Sequence, residues 1–176
     1  AKVAPEELLS CVLKEILKRS KVSANFVEDI VVGNVLQPGA GATTARIGQL
    51  MAGYPMSVPI SAINRQCSSG LEAVAIIAAK IRAGMIKAGV GAGVESMSLW
   101  DMQAGVAIDK LSERVFEKEE TQNCLMNMGE TSEIITEREK LSREELDRYS
   151  AESFIKAEVA IKEGRFRNEI VPVTVA

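Results

Sequence analysis

Histidine is absent from this 176-residue sequence, and cysteine and aromatic residues are scarce, with three cysteines and 4% aromatics. Without histidine, no Cys–His pair can form within the chain and no imidazole can act as a base near neutral pH. An odd number of cysteines without framework spacing argues against a secreted fold held by disulfides. The lack of histidine and of paired cysteine spacing also argues against a metal site.

The sequence also lacks a large excess of either charge and a long apolar segment. The net charge is −3, and the 26% of charged residues are of both signs and interspersed. No basic patch therefore indicates a nucleic-acid surface. The longest apolar run is too short to cross a bilayer, so we expect no membrane span. No targeting segment is visible at the N-terminus. The length suits one cored domain, or one domain with an insertion.

The first hundred residues alternate between helical and strand patterns. The predicted elements are a helix over 5–19, a strand over 27–35, a helix over 45–51, a strand over 58–64, a helix over 71–83 and a strand over 88–94. Thr43 or Thr44 is the expected cap of the second helix. The order αβαβαβ predicts an α/β fold with parallel strands and right-handed crossovers.

The segment Gln66-Cys67-Ser68-Ser69-Gly70 places one cysteine between a predicted strand and the helix that follows. Unpaired N–H groups and the positive end of the helix dipole favour negative charge there, so Cys67 is predicted to ionise readily. The same N–H groups could hold an oxyanion, and Ser68 and Ser69 offer capping hydroxyls. A free cysteine is more often a small apolar filler, and the position makes a nucleophilic role an equally good interpretation.

The other two cysteines lack such a setting. Cys11 falls on the apolar face of the first predicted helix, so core packing explains it better. Cys124 lies in a segment that the pattern assigns to no element.

The glycines of Gly89-x-Gly91-x-Gly93 do not indicate a dinucleotide site. In a dinucleotide fingerprint the glycines follow a strand and open a helix, whereas these lie within the predicted strand. Small residues for close packing explain them better. The loop Pro38-Gly39-Ala40-Gly41 also lacks the Lys-Ser/Thr ending of a phosphate-binding loop.

The composition changes from Trp100 onward, where glycine becomes rarer and charged residues more frequent. We predict a domain boundary there, with an α/β domain over 1–98 and an inserted, mostly helical domain over 99–176. Residues 110–122 predict a polar helix or loop. Ser142 and Glu145 fit a capping box at the start of a helix that ends at Gly164.

Five segments stand in an order found in one enzyme family: 33–42, 64–74, 93–98, 124–133 and 169–173. Asn64-Arg65-Gln66-Cys67-Ser68-Ser69-Gly70-Leu71-Glu72-Ala73-Val74 resembles the nucleophile segment of the thiolases, in the version of the peroxisomal 3-ketoacyl-CoA thiolases. The fourth segment resembles part of the inserted loop domain of that family, and the fifth a short strand that closes it. One such motif would be weak evidence, but five in register cover nearly the whole chain.

The resemblance implies a thiolase-like α/β domain with a mixed, mainly parallel sheet covered by helices, incomplete in this chain. It implies an acyltransferase of fatty-acid β-oxidation, which cleaves 3-ketoacyl-CoA to acetyl-CoA and a shortened acyl-CoA through an acyl-thioester on Cys67. CoA is then a co-substrate, and no resident cofactor is expected. The resemblance also implies a homodimer formed through the strand at Ile60 to Asn64, and a peroxisomal location, with mitochondrion and cytoplasm left open.

Family resemblance also gives a role to Met128. In the thiolases the inserted domain lies over the active site and contacts CoA, and Met128-Gly129 resembles the part of it that approaches the reactive thiol. Met128 is therefore predicted to contact substrate, while packing in a small core would explain it equally well. The family takes its histidine, a second acid/base cysteine and an oxyanion-site asparagine from the C-terminal half. We therefore expect this chain to be a fragment of one subunit, inactive alone.

Three parts of the sequence depart from the family pattern. Ile134 stands where asparagine is usual, Glu139-Lys140-Leu141 replaces a glycine-containing turn, and Glu72 replaces a glutamine. Two alternatives stay open. One is a noncatalytic thiolase-like protein that binds acyl-CoA, lipid or a partner subunit, which the missing histidine favours. The other is a decarboxylating ketoacyl synthase, which shares the fold and the cysteine, although Arg65-Gln66 and Met128-Gly129 favour a thiolase.

Overall fold

The computed structural model describes residues 3–102 and 107–175. Its backbone contacts divide the chain into two units, one of Ala1–Val106 with Val171–Ala176 and the other of Ala107–Ile170. The domain boundary expected at residue 98 stays a prediction.

The first unit alternates helices and strands as the sequence predicts. Its helices are α1 (Pro5–Ser20), α2 (Ala42–Met51) and α3 (Ser69–Arg82), and its strands are β1 (Asp29–Gly33), β2 (Ile60–Ile63) and β3 (Gly89–Gly93). Short 3-10 helices cover Ala24–Phe26 and Pro38–Gly41. Pro5 opens α1, where its fixed φ and missing N–H suit the first turn.

The start of α2 differs from the prediction, because neither threonine caps it. Gly41 occupies the N-cap position with φ +68°, a left-handed conformation that favours glycine. The Thr44 hydroxyl lies 2.6 Å from Gln37 Oε1 and 2.9 Å from the Gly41 carbonyl oxygen. Thr44 therefore braces the preceding turn, and α2 begins earlier than its apolar pattern indicates.

The strands form one parallel sheet in the order β2-β1-β3. In the central strand, Val31 lies opposite Ser61 of β2 and Gly91 of β3. Parallel neighbours need a crossover connection, and α2 and α3 lie in the two connections. All strand pairs in the described residues are parallel, and the α/β fold class is confirmed.

Helices cover the sheet on both faces, so β1 is wholly buried. One core cluster joins α1, α2 and the sheet: Leu9, Leu13, Val27, Ile30, Val32, Ala45, Ala52, Tyr54 and Val58. On the opposite face, Val31 packs with Ala73 and Ile77 of α3. Full burial of each such aliphatic side chain stabilises the fold by about 1.5–3 kcal/mol. The first unit thus has three layers, with α1 and α2 on one face of the sheet and α3 on the other.

The second unit is helical. It contains α4 (Glu119–Asn123), α5 (Met128–Glu139) and α6 (Arg143–Lys162), with 3-10 helices at Ile108–Lys110 and Glu113–Glu117. The Ser142 hydroxyl accepts the Glu145 N–H and the Glu145 carboxylate accepts the Ser142 N–H, so the predicted capping box is confirmed. Gly164, with φ +70°, follows the C-cap and confirms the predicted helix stop. None of the described residues of this unit is buried.

Two features of the last fifty residues differ from expectation. Helix α5 was not predicted, although Asn127 caps it by accepting the Glu130 N–H at 2.9 Å. An Asn followed three residues later by Glu is a helix-start signal. The strand that the resemblance implied over 169–173 is wrong, because these residues form turns and irregular backbone. Pro172 lies within that range and lacks the N–H that a strand ladder requires.

Candidate active site

Cys67 lies in a turn between β2 and α3, and its side chain is exposed. The first helical residue of α3 is Ser69, with Ser68 at the N-cap. The sequence predicted that Cys67 belongs to the first turn of the helix. In the structure it lies two residues before the helix begins. The positive end of a 14-residue helix still begins beside the thiol, and it favours negative charge there. We refer to residues 64–69 as the Cys67 turn.

The hydroxyl groups of the two serines after Cys67 make no capping hydrogen bond to α3, contrary to expectation. The Ser68 hydroxyl donates to the Arg65 carbonyl at 2.8 Å. The Ser69 hydroxyl donates to the Gln66 carbonyl at 2.6 Å and accepts the Arg65 N–H at 2.8 Å. The Ser68 and Ser69 N–H groups donate to the same two carbonyls, at 3.2 and 3.0 Å. These two N–H groups are thus committed to the turn instead of to a substrate oxyanion.

The backbone of the Cys67 turn is strained at Gln66. This residue has φ +49°, in the left-handed region that costs a non-glycine residue roughly 1–2 kcal/mol. Such conformations persist only where surrounding contacts hold them, and they concentrate at functional sites. The strain sits directly before the candidate nucleophile.

An ion pair crosses the Cys67 turn. Arg65 Nη1 lies 2.9 Å from Glu72 Oε2 in the first part of α3, and the two side chains are 68% and 27% exposed. A pair this exposed contributes at most about 1 kcal/mol to stability. In sequence, Arg65 lies two residues before Cys67 and Glu72 five residues after it.

Neither Asn64 nor Glu95 was assigned a role in the site from the sequence, and the structure connects both to the Cys67 turn by hydrogen bonds. Asn64 Oδ1 accepts the Gln66 N–H at 2.9 Å, while Asn64 Nδ2 donates to the Val35 carbonyl at 3.1 Å. Glu95 Oε2 in turn accepts the Val35 N–H at 2.9 Å. An Asn side chain directly after a strand often accepts the backbone N–H two residues later, which forms an Asx-turn. The Asn after β2 was therefore a local signal for this bond. Nothing local in the sequence indicates the partners of Glu95.

The glycines of β3 pack against α3, as their position within a strand predicted. A Cβ atom at Gly91 would lie 2.7 Å from the Val74 Cα, and one at Gly89 would lie 2.9 Å from the Ile77 Cδ1. These positions therefore let the helix that follows Cys67 approach the sheet closely.

The remaining cysteines have different surroundings. Cys11 is partly buried on α1, and its Sγ lies 3.8 Å from the Pro172 carbonyl oxygen. Cys124 is exposed, and its Sγ lies 3.4 Å from the Glu120 carbonyl oxygen one turn earlier.

Met128 is the first residue of α5 and is 64% exposed. It belongs to the second unit, whereas Cys67 belongs to the first. Exposure leaves its side chain available to a ligand, and the substrate contact expected of it stays a prediction.

Within the described residues, no group of three or more His, Cys, Asp and Glu side chains could hold a metal ion. No helix in 3–102 or 107–175 combines the length and the apolarity that a membrane crossing requires.

Comparison with known proteins gives one consistent result. The family described as "Thiolase, N-terminal domain" matches residues 1–176. The chain is 49% identical over 170 residues to the peroxisomal 3-ketoacyl-CoA thiolase B of Rattus norvegicus. This match covers 97% of the chain and 39% of that relative. The chain thus spans about two fifths of the length of the curated relative.

Two solved structures from Saccharomyces cerevisiae share the fold. The dimeric peroxisomal thiolase superposes with a TM-score of 0.89 at 39% identity, covering 98% of this chain and 45% of that one. A second structure of peroxisomal 3-ketoacyl-CoA thiolase gives a TM-score of 0.77 at 37% identity, over 98% of this chain and 46% of that one. That thiolase has five layers, a-b-a-b-a, built from two core domains of identical topology.

Proposed function

Since the chain belongs to the thiolase family, we propose that it carries the nucleophile of a 3-ketoacyl-CoA thiolase, with Cys67 as the residue that takes the acyl group. The observation that carries this proposal is the exposed Cys67 thiol at the start of α3. A core-filling cysteine would be sealed among apolar side chains. The relative named as a peroxisomal 3-ketoacyl-CoA thiolase supports the choice of substrate.

The proposed reaction has two halves. The Cys67 thiolate attacks the C3 carbonyl carbon of 3-ketoacyl-CoA, forming the C–S bond. The C2–C3 bond then breaks, its electron pair leaves as the acetyl-CoA enolate, and a proton converts this enolate to acetyl-CoA. The thiolate of a second CoA attacks the remaining acyl-thioester and releases Cys67 with an acyl-CoA two carbons shorter. Sulfur suits both halves because it is a good nucleophile and a good leaving group.

Proton transfer needs groups beyond this chain. The sequence has no histidine, so no imidazole within it can deprotonate Cys67 or CoA near neutral pH. We place the acid and base of the reaction in the part of the enzyme outside these 176 residues. The relative named above is matched over 39% of its length, which leaves room for that part.

The exposed face of α3 supports a second core domain. Leu71, Val74 and Ile81 of this helix are 74%, 52% and 42% exposed. The first unit has three layers, and two such domains would give five layers if their α3 helices shared one central layer. Five layers built from two core domains are found in the Saccharomyces cerevisiae 3-ketoacyl-CoA thiolase. We therefore propose that this face of α3 packs against the second core domain.

We further propose that β2 forms the seam of a homodimer. β2 lies at one edge of the described sheet and pairs with β1 on one side. An open strand edge readily pairs with another strand, and the Saccharomyces cerevisiae thiolase that superposes with a TM-score of 0.89 is dimeric. The seam would place Ile60–Ile63, and therefore the Cys67 turn that follows, beside the second subunit.

The second unit is the proposed contact for CoA. Met128 at the start of α5 is exposed, and we propose that it contacts the acyl-CoA substrate. CoA acts here as co-substrate, and no resident cofactor is proposed. The names of the relatives support a peroxisomal location.

One alternative retains support from a specific observation. The absence of histidine fits a noncatalytic thiolase-like protein that binds acyl-CoA, lipid or a partner subunit without turnover. The two proposals differ in whether Cys67 accepts an acyl group.

The decisive experiment measures transfer of an acyl group from acyl-CoA to the chain. The full 176-residue chain is incubated with octanoyl-CoA at about pH 9, where cysteine thiols ionise without the base that we place outside the chain, and each cysteine peptide is analysed by mass spectrometry. The second half of the reaction, run in reverse, predicts an acyl-thioester on Cys67 with release of CoA. The Cys67→Ser variant should show only the background labelling of Cys124. Equal acylation of Cys67 and Cys124 in the unaltered chain would support the noncatalytic alternative instead.

A further inference from the structure

The hydrogen-bond partners of Gln66 lie within the Cys67 turn, and one of them, Asn64, is also bonded to a residue outside it. On one side its carbonyl is held locally by the Ser69 hydroxyl and N–H. On the other side its N–H donates to Asn64 Oδ1 at 2.9 Å. The remaining polar group of that amide, Asn64 Nδ2, donates to the Val35 carbonyl at 3.1 Å, 29 residues away in sequence. Asn64 therefore joins the Cys67 turn to the segment that follows β1.

The segment that follows β1 is itself fixed by a carboxylate. Glu95 Oε2 accepts the Val35 N–H at 2.9 Å, and Oε1 accepts the Asn34 Nδ2 at 3.0 Å and lies 3.4 Å from the Leu36 nitrogen. Asn34 is 2% exposed, and its Oδ1 accepts the Gln37 N–H at 3.0 Å. A buried amide and a half-buried carboxylate are costly unless bonded, and here both are bonded to the same short segment.

The hydrogen bonds form one continuous path. It runs from Glu95, just after β3, through the N–H and carbonyl of Val35, and through Asn64 to the N–H of Gln66. The residue at its end has the left-handed φ of +49° that precedes Cys67. Conformations of this kind persist only when contacts over-determine them.

We propose that Glu95 is a positioning residue for the nucleophile, acting through Val35 and Asn64 on the strained Gln66. This inference rests on the proposed role of Cys67. Glu95 does not touch the reacting atoms in this arrangement. It holds the backbone that presents the thiol at the start of α3.

The opposing explanation is that Glu95 only fastens residues 34–37 to the end of β3. The two explanations differ in what the Cys67 turn does when Glu95 is changed. A fastening role affects residues 34–37 alone, or the whole fold equally. A positioning role affects the Gln66 amide selectively and requires Asn64.

The test uses the full 176-residue chain and amide hydrogen exchange at Gln66, read by NMR. In Glu95→Gln we expect exchange at Gln66 to rise at least about fivefold while the amides of α1 and α2 stay within about twofold. The matched control is Glu28→Gln, because the Glu28 carboxylate accepts the Lys87 N–H at the opposite ends of the same two strands. That variant should leave the Gln66 exchange rate unchanged.

Asn64→Asp separates relay from local support. It keeps the acceptor for the Gln66 N–H but loses the donor to the Val35 carbonyl. We expect it to raise the Gln66 exchange rate by itself, and we expect the double variant with Glu95→Gln to show no further rise. If the double variant raised the Gln66 exchange rate by the product of the two single effects, the relay would be overturned. An unchanged Gln66 exchange rate in either single variant would also overturn it. Since Asn64 is exposed, we expect Asn64→Asp to fold even if Glu95→Gln does not, and an unchanged Gln66 exchange rate in Asn64→Asp would overturn the relay by itself.

Alkylation of Cys67 by iodoacetamide, relative to Cys124 in the same sample, supplies the functional readout. We expect Glu95→Gln to lower this ratio at least about threefold. The Cys67 to Cys124 rate ratio could be near one in the unaltered chain while Glu95→Gln still raises the Gln66 exchange rate. That result would contradict the proposed role of Cys67 and leave the hydrogen-bonded path unaffected. A high ratio that Glu95→Gln leaves unchanged would count against the positioning role alone.

Discussion

A Cβ atom at Gly33 would lie 2.5 Å from the carbonyl carbon of Ser69 and 2.7 Å from the amide nitrogen of Gly70. Both neighbours are backbone atoms, which cannot move aside as the end of a flexible side chain can. The last residue of β1 and the first turn of α3 are therefore in backbone contact. This contact sets how closely the Cys67 turn lies to the carboxyl end of the sheet.

Gly33→Ala should destabilise the fold, because α3 must shift to admit the methyl group. We expect a loss of about 1–3 kcal/mol in the free energy of unfolding, the range of overpacked core substitutions. Urea denaturation monitored by circular dichroism measures it. The matched control is Gly70→Ala, where the added Cβ meets no atom within 4 Å. Alanine favours the helix, so the control should be neutral or stabilising by up to about 1 kcal/mol. Equal losses in the two variants would contradict the steric argument.

The fold of the first unit could be predicted because hydrophobic periodicity decides it. The continuous apolar run at Ile30 to Val32 is buried from both sides, and the stripe of α1 covers one face. Boundaries were less accurate where backbone conformation decided them, as at Gly41, whose left-handed φ lets α2 start early. Helix α5 was missed because its apolar pattern is weak, while the cap at Asn127 carries the signal.

Only part of the candidate site could be predicted, because some of its hydrogen bonds join residues that are far apart in sequence. The place of Cys67 between a strand and a helix follows from local pattern. The serine hydroxyls were assigned to capping, but the left-handed Gln66 makes them bond back to the turn. The bonds of Asn64 to Val35 and of Glu95 to Val35 join residues 29 and 60 positions apart. No local spacing indicates such pairs, because the parallel sheet brings them together.

The Arg65–Glu72 ion pair should modulate the reactivity of Cys67. Removing the negative charge in Glu72→Gln leaves the Arg65 cation to favour the thiolate, so we expect faster alkylation by about two- to threefold at low salt. Arg65→Gln should slow it by a similar factor. The measurement is the rate at which iodoacetamide alkylates Cys67. Because this reagent is uncharged, the two charged side chains neither attract nor repel it. The control is Glu15→Gln on α1, which breaks another ion pair, with Arg19, on the opposite face of the sheet. A change in that control as large as in Glu72→Gln would contradict the local effect.

The start of α6 should weaken in acid. Hydrogen bonds from the Ser142 backbone N–H and hydroxyl lower the pKa of Glu145 below its ordinary value. A carboxyl whose pKa is lower in the folded state contributes stability above its unfolded pKa, and this contribution is lost as the pH falls through the folded pKa. We therefore expect amide protection in the first turn of α6 to fall below about pH 4. The side chain in Glu145→Gln cannot titrate, so in this variant the amide protection of the first turn of α6 should not change over the same pH range. If protection declined equally in the variant, another group would be the cause.

Lys140 ends α5 in a conformation that suits glycine better. Its φ is +54°, and its N–H donates to the Glu137 carbonyl at 3.2 Å as the C-cap of the helix. A left-handed residue with a Cβ costs roughly 1–2 kcal/mol, and glycine removes that cost while adding freedom to the unfolded chain. We expect Lys140→Gly to raise the local stability of α5 by about 0.5–1 kcal/mol, measured as amide protection across the helix. Lys140→Ala removes the same charge and keeps the Cβ, so it should bring no gain. If alanine stabilised α5 as much as glycine, charge and not backbone strain would be the cause, and the substitution of Glu139-Lys140-Leu141 for a glycine-containing turn would carry no conformational cost.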